Sequence, residues 1–337
     1  MNSRRIIENT IRFEKPSRIG MFYWLSNNTW DSDIVIGKVI HPLSKRNIRI
    51  EESLEFWEDE WNNLWARVVT DKTTKGEIRK GAIEHWDMLK NYNLPDFQDT
   101  SLYEGIRDMF AANPDKYKLG SLPGFCFSIV RKLRGLENFL MDIKLEADNV
   151  IRLMHLVEIL LESVIVKYAE IGADGIFFCE DWGTQERLLI SPADWVLFFK
   201  PVFQRLCMVA EKHKLSVWMH SCGYIYDIIP HLIEAGVDVL QLDQPELMGL
   251  EKLANYRGKV TFWSPCDIQK VLPTGDRGLI EKSISAMFEN LSTPAGGLIA
   301  KSYGGSAADL CSIGTNPADS DFAHDCFFRY GRRFYGA

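Results

Sequence analysis

Residues Ser216 to Gly223 read SVWMHSCG, and the interpretation of the rest of the chain starts from them. Its first four residues are largely apolar and partly β-branched, which predicts a buried strand. His220 and Cys222 stand where that strand should end, and period-two alternation places both side chains on one side of an extended chain. An imidazole and a thiolate two residues apart are two of the ligands that a zinc site needs. The alternative is a buried histidine beside a cysteine that packs as a small hydrophobic residue.

The composition is that of a globular protein with a full core. The 337 residues are 46% hydrophobic and 25% charged, and the net charge is −7. This charge argues against general affinity for nucleic acid, which needs a basic surface. No apolar run is long enough to span a bilayer, and the N-terminal residues lack the apolar core of a signal peptide. We therefore expect a cytoplasmic protein that has neither nucleic acid nor membrane as a partner.

The seven cysteines are scattered along the chain and odd in number. In a cytoplasmic protein this pattern indicates free thiols or metal ligands, since a disulfide framework would need an oxidising compartment.

From residue 101 onward, helices alternate with short apolar strands, with no linker rich in proline, glycine or serine. Strands are predicted at Gly124–Ile129, Gly175–Cys179, Ser216–Met219, Val237–Leu242, Val260–Trp263 and Gly297–Ala300. Helices are predicted at Asn149–Ile171, Ser191–His213, Tyr224–Ala235 and Gly278–Asn290. Such alternation implies a parallel sheet.

The strand count favours a (β/α)₈ TIM barrel, an α/β fold, built as a single domain over residues 1–337. Ile19–Trp24 supplies a first strand after a short helix at Arg4–Phe13, and one obscure strand is expected among residues 40–120. An open doubly wound sheet is the alternative, but the glycine-rich phosphate turn that usually follows its first strand is not seen.

Residues 25–100 form a polar, aromatic and acidic stretch with weak periodicity. We interpret it as an N-terminal insertion or cap, partly inserted over one end of the barrel. Trp57, Trp61 and Trp65 recur at helical spacing, which predicts that they pack in the core or at a domain interface.

In a barrel, functional side chains gather at the C-terminal ends of the strands. Five successive predicted strands end in polar or metal-binding groups, which favours a site there. These endings are Glu180 with Asp181, His220 with Cys222, Asp243 with Gln244, Ser264 to Asp267, and Lys301 to Gly305.

Asp243 is the best candidate for a third zinc ligand, because it ends the next strand and carboxylates bind zinc. Glu180 could reach the metal from the preceding strand. Each carboxylate also has a simpler interpretation as the cap of a following helix. Glu180 and Asp181 are alternatively candidates for a general acid or for binding a polar substrate group. Lys301 and Tyr303 could orient an anion or an aryl oxygen, although plain solvent exposure would also explain Lys301.

At this point the sequence resembles the uroporphyrinogen decarboxylase superfamily, and within it the zinc-dependent, cobalamin-linked methyltransferases. The resemblance covers most of the chain and is clearest from residue 172 to residue 331. The N-terminal segment from Arg4 to Ile19 is also similar to the opening of that superfamily. The matching motifs are Asp181-x-Gly183-x-Gln185, Ser191-Pro192, His220-Ser-Cys222-Gly223, Gly236-Val-Asp238, Gly296-Gly297 and Arg329-Tyr330-Gly331.

The resemblance implies a (β/α)₈ barrel with its site at the C-terminal mouth. The decarboxylase branch carries an arginine-rich loop near the first strand and an aspartate on a Gly-Phe strand. Here no arginine directly follows the first strand and no aspartate closely follows Gly124-Phe125, so decarboxylation is disfavoured. The methyltransferase branch has a third cysteine after the last strand, where this chain has Lys301-Ser302-Tyr303. A related branch has an acidic residue near the position of Asp243.

The resemblance therefore implies zinc held by His220, Cys222 and Asp243. It implies transfer of a methyl group between a small methylated donor, such as an aryl methyl ether, and the cobalt of a corrinoid. An Asp-x-His-x-x-Gly corrinoid-binding motif is missing from the chain, so the cobalamin should belong to a partner protein. The alternatives are a decarboxylase like uroporphyrinogen decarboxylase and a non-catalytic tetrapyrrole-binding protein.

The predicted catalytic residues are Glu180, Asp181 and Asp243. The predicted substrate contacts are aromatic or polar residues near the strand ends. They are Phe125, Phe127, Gln185, Lys301 and Tyr303. Neither the donor nor the direction of transfer follows from the sequence.

Overall fold

The computed structural model describes residues 1–70 and 76–336, and it shows a TIM barrel with a second, smaller sheet. The strands are β1 (Gly20–Trp24), β2 (Trp30–Ser32), β3 (Ile34–Lys38), β4 (Arg46–Glu51), β5 (Leu54–Glu58), β6 (Leu64–Val68), β7 (Glu77–Lys80), β8 (Tyr117–Ser121), β9 (Gly175–Cys179), β10 (Ser216–His220), β11 (Val239–Gln241), β12 (Thr261–Ser264) and β13 (Leu298–Lys301).

The α-helices are α1 (Ser3–Arg12), α2 (Glu104–Ala112), α3 (Cys126–Arg134), α4 (Leu136–Leu145), α5 (Ala147–Glu170), α6 (Pro192–Asp194), α7 (Lys200–Lys212), α8 (Ile229–Ala235), α9 (Pro245–Met248), α10 (Leu250–Leu253), α11 (Arg277–Leu291), α12 (Ala307–Ser312) and α13 (Pro317–Tyr335). A π-helical turn, Trp195–Phe199, joins α6 to α7. Short 3₁₀ turns are Trp86–Asn91, Thr100–Tyr103, Tyr226–Ile228, Ala254–Tyr256 and Leu272–Thr274. No helix of the described ranges has the length and apolarity to cross a membrane.

The barrel sheet runs in the order β2-β1-β13-β12-β11-β10-β9-β8-β3. Every neighbouring pair is parallel except β1 and β2. The predicted barrel is thus confirmed, with β9 at the predicted residues and β10 to β13 within two residues of them. All parallel strands therefore end at one rim, where the predicted site residues were expected.

Asp33, between β2 and β3, joins the two ends of the barrel sheet. Its carboxylate accepts two hydrogen bonds from Arg18, at 2.6 and 2.7 Å, and one from the amide of Met21 in β1, at 2.8 Å. Its backbone exchanges further hydrogen bonds with Met21 and with Tyr117 of β8. Because Asp33 is 1% exposed, this ion pair is shielded from water on the carboxylate side and closes the barrel.

Helix α1 closes the end of the barrel at which the parallel strands begin, opposite the rim at which they end. This confirms the predicted N-terminal helix. Ile7 of this helix is fully buried against inward-facing residues such as Leu119, Trp218 and Ile299. The barrel interior is therefore a packed core below the mouth, as parallel barrels require.

One predicted strand is wrong, and one barrel strand was missed. Gly124–Ile129 is not a strand, since helix α3 begins at Cys126, whereas Tyr117–Ser121 lies at the end of the range 40–120 in which a further strand was expected. The missed strand is Ile34–Lys38, which pairs in parallel with β8. Residues 25–100 therefore contain part of the barrel as well as the added sheet.

The added sheet consists of four antiparallel strands, β4-β5-β6-β7. Trp57 and Trp65 lie opposite each other on β5 and β6, and their rings stack at 5.9 Å with 12° between the planes. Their helical spacing was misleading, because a turn at Asp59 to Asn63 brings the two strands into register. Trp57 and Trp61 are buried, in agreement with the predicted packing role.

We expect Asp33→Ala to lower the free energy of unfolding by about 2–4 kcal/mol, since it leaves the Arg18 guanidinium and the Met21 amide without their buried acceptor. Urea unfolding measures this. The matched control is Glu51→Ala, which removes the exposed pair with Arg49 and should cost about 0.5 kcal/mol or less. Equal stability of the two variants would contradict the closing role of Asp33.

Candidate metal centre at the barrel mouth

His220 is the last residue of β10, and its side chain faces into the barrel mouth. The register places it opposite Cys179 of β9 and Gln241 of β11. Two residues upstream, Trp218 packs in the barrel interior with the other inward-facing residues. The alternation predicted from the sequence therefore directs His220 inward.

Two loops meet above β9 and β10 and bring Asp181 to Cys222. Gly223 has φ +79°, and a Cβ atom there would lie 2.3 Å from the carbonyl oxygen of Gly183. Only glycine allows both this backbone conformation and this close approach. The amide of Tyr224 donates to the carbonyl of Thr184 at 2.7 Å, which holds the two loops together.

Asp181, His220 and Cys222 form a cluster whose possible ligand atoms all lie within 4.8 Å of one another. The Nε2 atom of His220 lies 3.2 Å from the Sγ of Cys222 and 3.5 Å from Oδ1 of Asp181. Tetrahedral zinc with ordinary bond lengths separates its nitrogen and sulfur ligands by about 3.6 Å, and its nitrogen and oxygen ligands by about 3.4 Å. The three side chains thus fit a zinc ion, and three protein ligands leave the fourth position open for a substrate.

The charges around the cluster favour a cation. Desolvation of the sulfur, together with the carboxylates of Asp181 and Asp243, raises the pKa of Cys222 to about 12. The thiol alone would therefore stay protonated at neutral pH, whereas a bound metal ion would stabilise the thiolate. The amide of Cys222 donates to Oδ1 of Asp181 at 3.0 Å and fixes this carboxylate beside the thiol.

Asp243, the predicted third ligand, points to Lys301 instead. Its Oδ1 accepts from the Lys301 ammonium at 2.8 Å and from Gln241 at 2.7 Å. Burial raises the pKa of Asp243, but Lys301 and His220 outweigh burial and hold it below its usual value. Its other oxygen lies 4.0 Å from Nδ1 of His220, so Asp243 stands behind the imidazole, on the side away from Cys222 and Asp181.

Glu180 caps a helix and does not face the cluster. Its fully buried carboxylate accepts from the amides of Phe127 and Ser128, at 3.2 and 2.8 Å, in the first turn of α3. Burial raises the pKa of Glu180 to about 8, although these amides oppose the rise. Glu180 is thus a helix cap, although the helix that it caps precedes it in the chain and is not the following one that was expected. This role separates Glu180 from the metal ligands.

The predicted substrate contacts fall into two groups, one in the core and one at the barrel mouth. Phe125 and Phe127 are buried core residues, and they stack on Phe178 and Trp182 at 3.7 and 4.0 Å. The prediction that they contact a substrate is not supported by this placement.

Lys301 and Tyr303 lie at the mouth, on and just after β13. Burial and the charges of Asp243 and Cys222 raise the pKa of Tyr303. Gln185 is exposed on the loop after Asp181 and has no part in the cluster.

An aromatic wall inside the mouth was missed by the sequence analysis. Phe22, Phe177 and Trp263 meet there, with the phenyl rings each 5.5 Å from the indole and nearly perpendicular to it. The Lys301 ammonium lies 5.7 Å from the Trp263 ring, and Nε1 of this indole is buried without a hydrogen-bond partner. The available signal was strand alternation, which directs these three residues to the same side as His220.

We expect metal analysis of the purified protein to find zinc in the wild type and little in His220→Ala, Cys222→Ser and Asp181→Asn, because each removes a ligand. Asp243→Asn should retain zinc, since Asp243 is paired with Lys301. Cys311→Ser, at an exposed cysteine, is the control. Loss of zinc from Asp243→Asn but not from Asp181→Asn would make Asp243 the ligand.

Glu180→Ala should lower the free energy of unfolding by about 1–3 kcal/mol, because two buried amides of α3 lose their acceptor. Glu180→Gln should cost less, since its amide oxygen still accepts. Urea unfolding compares the two variants, and equal losses would exclude capping as the role of Glu180.

Similar structures share the barrel at low sequence identity. A methyltransferase from Methanosarcina mazei superposes with a TM-score of 0.65 at 11% identity, over 98% of this chain and 99% of that chain. A 3-keto-D-glucoside 4-epimerase from E. coli gives a TM-score of 0.41 at 13% identity, over 67% and 86%. A D-psicose 3-epimerase from Clostridium cellulolyticum H10 gives 0.41 at 8% identity, over 74% and 87%. At 11% identity, the superposition on the Methanosarcina mazei structure shows a shared fold.

Curated proteins include no match to this sequence. A family model described as uroporphyrinogen decarboxylase (URO-D) matches residues 71–290. Because this match spans well over half of the sequence and confirms the predicted superfamily, the chain belongs to the uroporphyrinogen decarboxylase (URO-D) family.

Proposed function

We propose that this protein is a zinc-dependent methyltransferase that moves a methyl group between a small methylated donor and the cobalt of a separate corrinoid protein. The cluster of Asp181, His220 and Cys222 at the barrel mouth carries the proposal. Membership of the URO-D family and the shared fold with a protein described as a methyltransferase support it.

Zinc would be held by the Nε2 of His220, the Sγ of Cys222 and a carboxylate oxygen of Asp181. When bound, it supplies a Lewis acid that withdraws electrons from the methylated atom of the donor. Asp243 lies 4.0 Å from Nδ1 of His220, where a carboxylate favours a proton on Nδ1 and leaves Nε2 free as a ligand.

The aromatic wall would orient the body of the donor. Phe22, Phe177 and Trp263 present ring edges and faces beside the cluster, which suits a flat donor such as an aryl methyl ether. The Lys301 ammonium lies between this wall and Asp243, so it is placed to donate a hydrogen bond to the leaving oxygen.

With an ether as donor, the carbon–oxygen bond breaks and its electron pair stays on the oxygen. The pair for the new bond to carbon comes from cobalt(I) of the corrinoid protein, which is the methyl acceptor. The leaving oxygen then takes a proton, and Lys301 or water at the mouth can supply it. Asp243 holds the Lys301 side chain in place through the ion pair at 2.8 Å.

A direct test measures methyl transfer to free cob(I)alamin, through the absorbance change as methylcobalamin forms, with methoxyphenols, methanol and methylamines as donors. His220→Ala and Cys222→Ser should each lower the rate about 100-fold or more, because transition-state stabilisation by the metal is lost. Cys311→Ser, which leaves the cluster intact, should retain the wild-type rate.

The same preparation should release no carbon dioxide from uroporphyrinogen. Decarboxylation that survives in His220→Ala, without any methyl transfer, would replace the proposal by a metal-independent decarboxylase.

A further inference from the structure

A cavity of about 310 Å³ lies between the added sheet and the barrel rim. None of its lining residues belongs to the cluster of Asp181, His220 and Cys222. The lining residues that matter here come from the end of β3, from β5 and β6 with their connecting turn, and from helix α3. They are Lys38, Trp57, Glu60, Trp61, Trp65 and Lys132.

Three indole rings form the apolar part of this cavity and are held in place by Asp59. The Asp59 carboxylate accepts from the amides of Trp61 and Asn63, at 3.0 and 2.8 Å, and from Nε1 of Trp65 at 2.7 Å. Trp65 in turn stacks on Trp57. These hydrogen bonds satisfy the Asp59 carboxylate within the fold. They fix the positions of the turn and of the Trp65 ring without a ligand.

Two opposite charges on the cavity wall lack ion-pair partners. Among the described residues, neither the ammonium of Lys132 nor the carboxylate of Glu60 has an oppositely charged atom within 4.0 Å. Lys132 instead lies 5.6 Å from the Trp65 ring centroid. Burial lowers the pKa of Lys132 and raises that of Glu60, and the attraction between the two groups opposes both shifts without cancelling them.

Both side chains are partly exposed, and a charge that has lost part of its water is stabilised by an oppositely charged partner. A ligand with complementary charges at its two ends would satisfy both at once. The Trp57 ring already faces Lys45 and Arg67, at 4.9 and 5.8 Å. Glu60 is therefore the group on this wall that attracts a cationic nitrogen. The volume suits a molecule of amino-acid size.

We propose that this cavity binds a small zwitterion, with its carboxylate toward Lys132 and its cationic nitrogen toward Glu60. Lys38, exposed at the end of β3, adds a second positive charge at the cavity wall. The site lies at the same end of the barrel as His220, because β3 and β10 belong to one parallel sheet and both residues end their strands. The proposal does not rest on the methyltransferase function.

Isothermal titration of the full chain with glycine betaine, proline and phenylalanine tests the proposal. At least one of these zwitterions should bind saturably and change the tryptophan fluorescence. Choline and acetate, which each carry one of the two charges, should bind at least about tenfold more weakly. Saturable binding by none of the three zwitterions would overturn the proposal, as would equal binding of choline.

Variants assign the binding to the two charges. Lys132→Met and Glu60→Gln should each weaken binding of the zwitterion about tenfold or more. Lys90→Met is the control, because Lys90 is an exposed lysine outside the cavity wall and should change nothing. If Lys132→Met unfolds, Glu60→Gln, which keeps the side-chain volume, decides alone. Unchanged affinity in a folded Glu60→Gln protein would exclude the site.

Discussion

The ion pair between Arg18 and Asp33 joins the first and last parallel strands of the sheet, and the geometry of the mouth depends on that closure. Asp33 binds β1 through Met21 and β8 through Tyr117, while Arg18 neutralises its charge. Once the sheet closes, all parallel strands end at one rim. Side chains that are far apart in sequence then share one small space, as His220 and Lys301 do.

Within that space, the packing of two loops decides which groups act together. The close contact between Gly183 and Gly223 holds Asp181 beside the thiol of Cys222. Asp243 is drawn to Lys301 and stands behind the imidazole of His220. Two carboxylates beside one ammonium and a thiol attract a cation, and burial of the sulfur together with the two carboxylates raises the pKa of Cys222.

The added sheet gives the rim a second cavity whose chemistry differs from that of the mouth. Trp57 and Trp65 stack there because β5 and β6 place them in register, and Asp59 fixes the turn between the two strands. The unpaired charges of Glu60 and Lys132 distinguish this cavity from an ordinary packing defect. The rim therefore carries two clusters of different chemistry, one around His220 and one around Trp65.

The amino-acid sequence alone predicted the barrel, its family and the inward direction of His220, because strand alternation and βα order are local patterns. It also placed Lys301 and Tyr303 at the mouth. It could not choose between Asp181 and Asp243, nor show that Glu180 caps α3, because those partnerships join residues that are distant in the chain.

The strand Ile34–Lys38 was hidden by its polar surroundings, and Phe125 and Phe127 were misplaced because a helix begins where a strand was expected. The true positions of this strand and of these two side chains followed from tertiary contacts. Strand register and loop contacts set the distances between side chains, and a carboxylate binds whichever donor or cation those distances bring within reach.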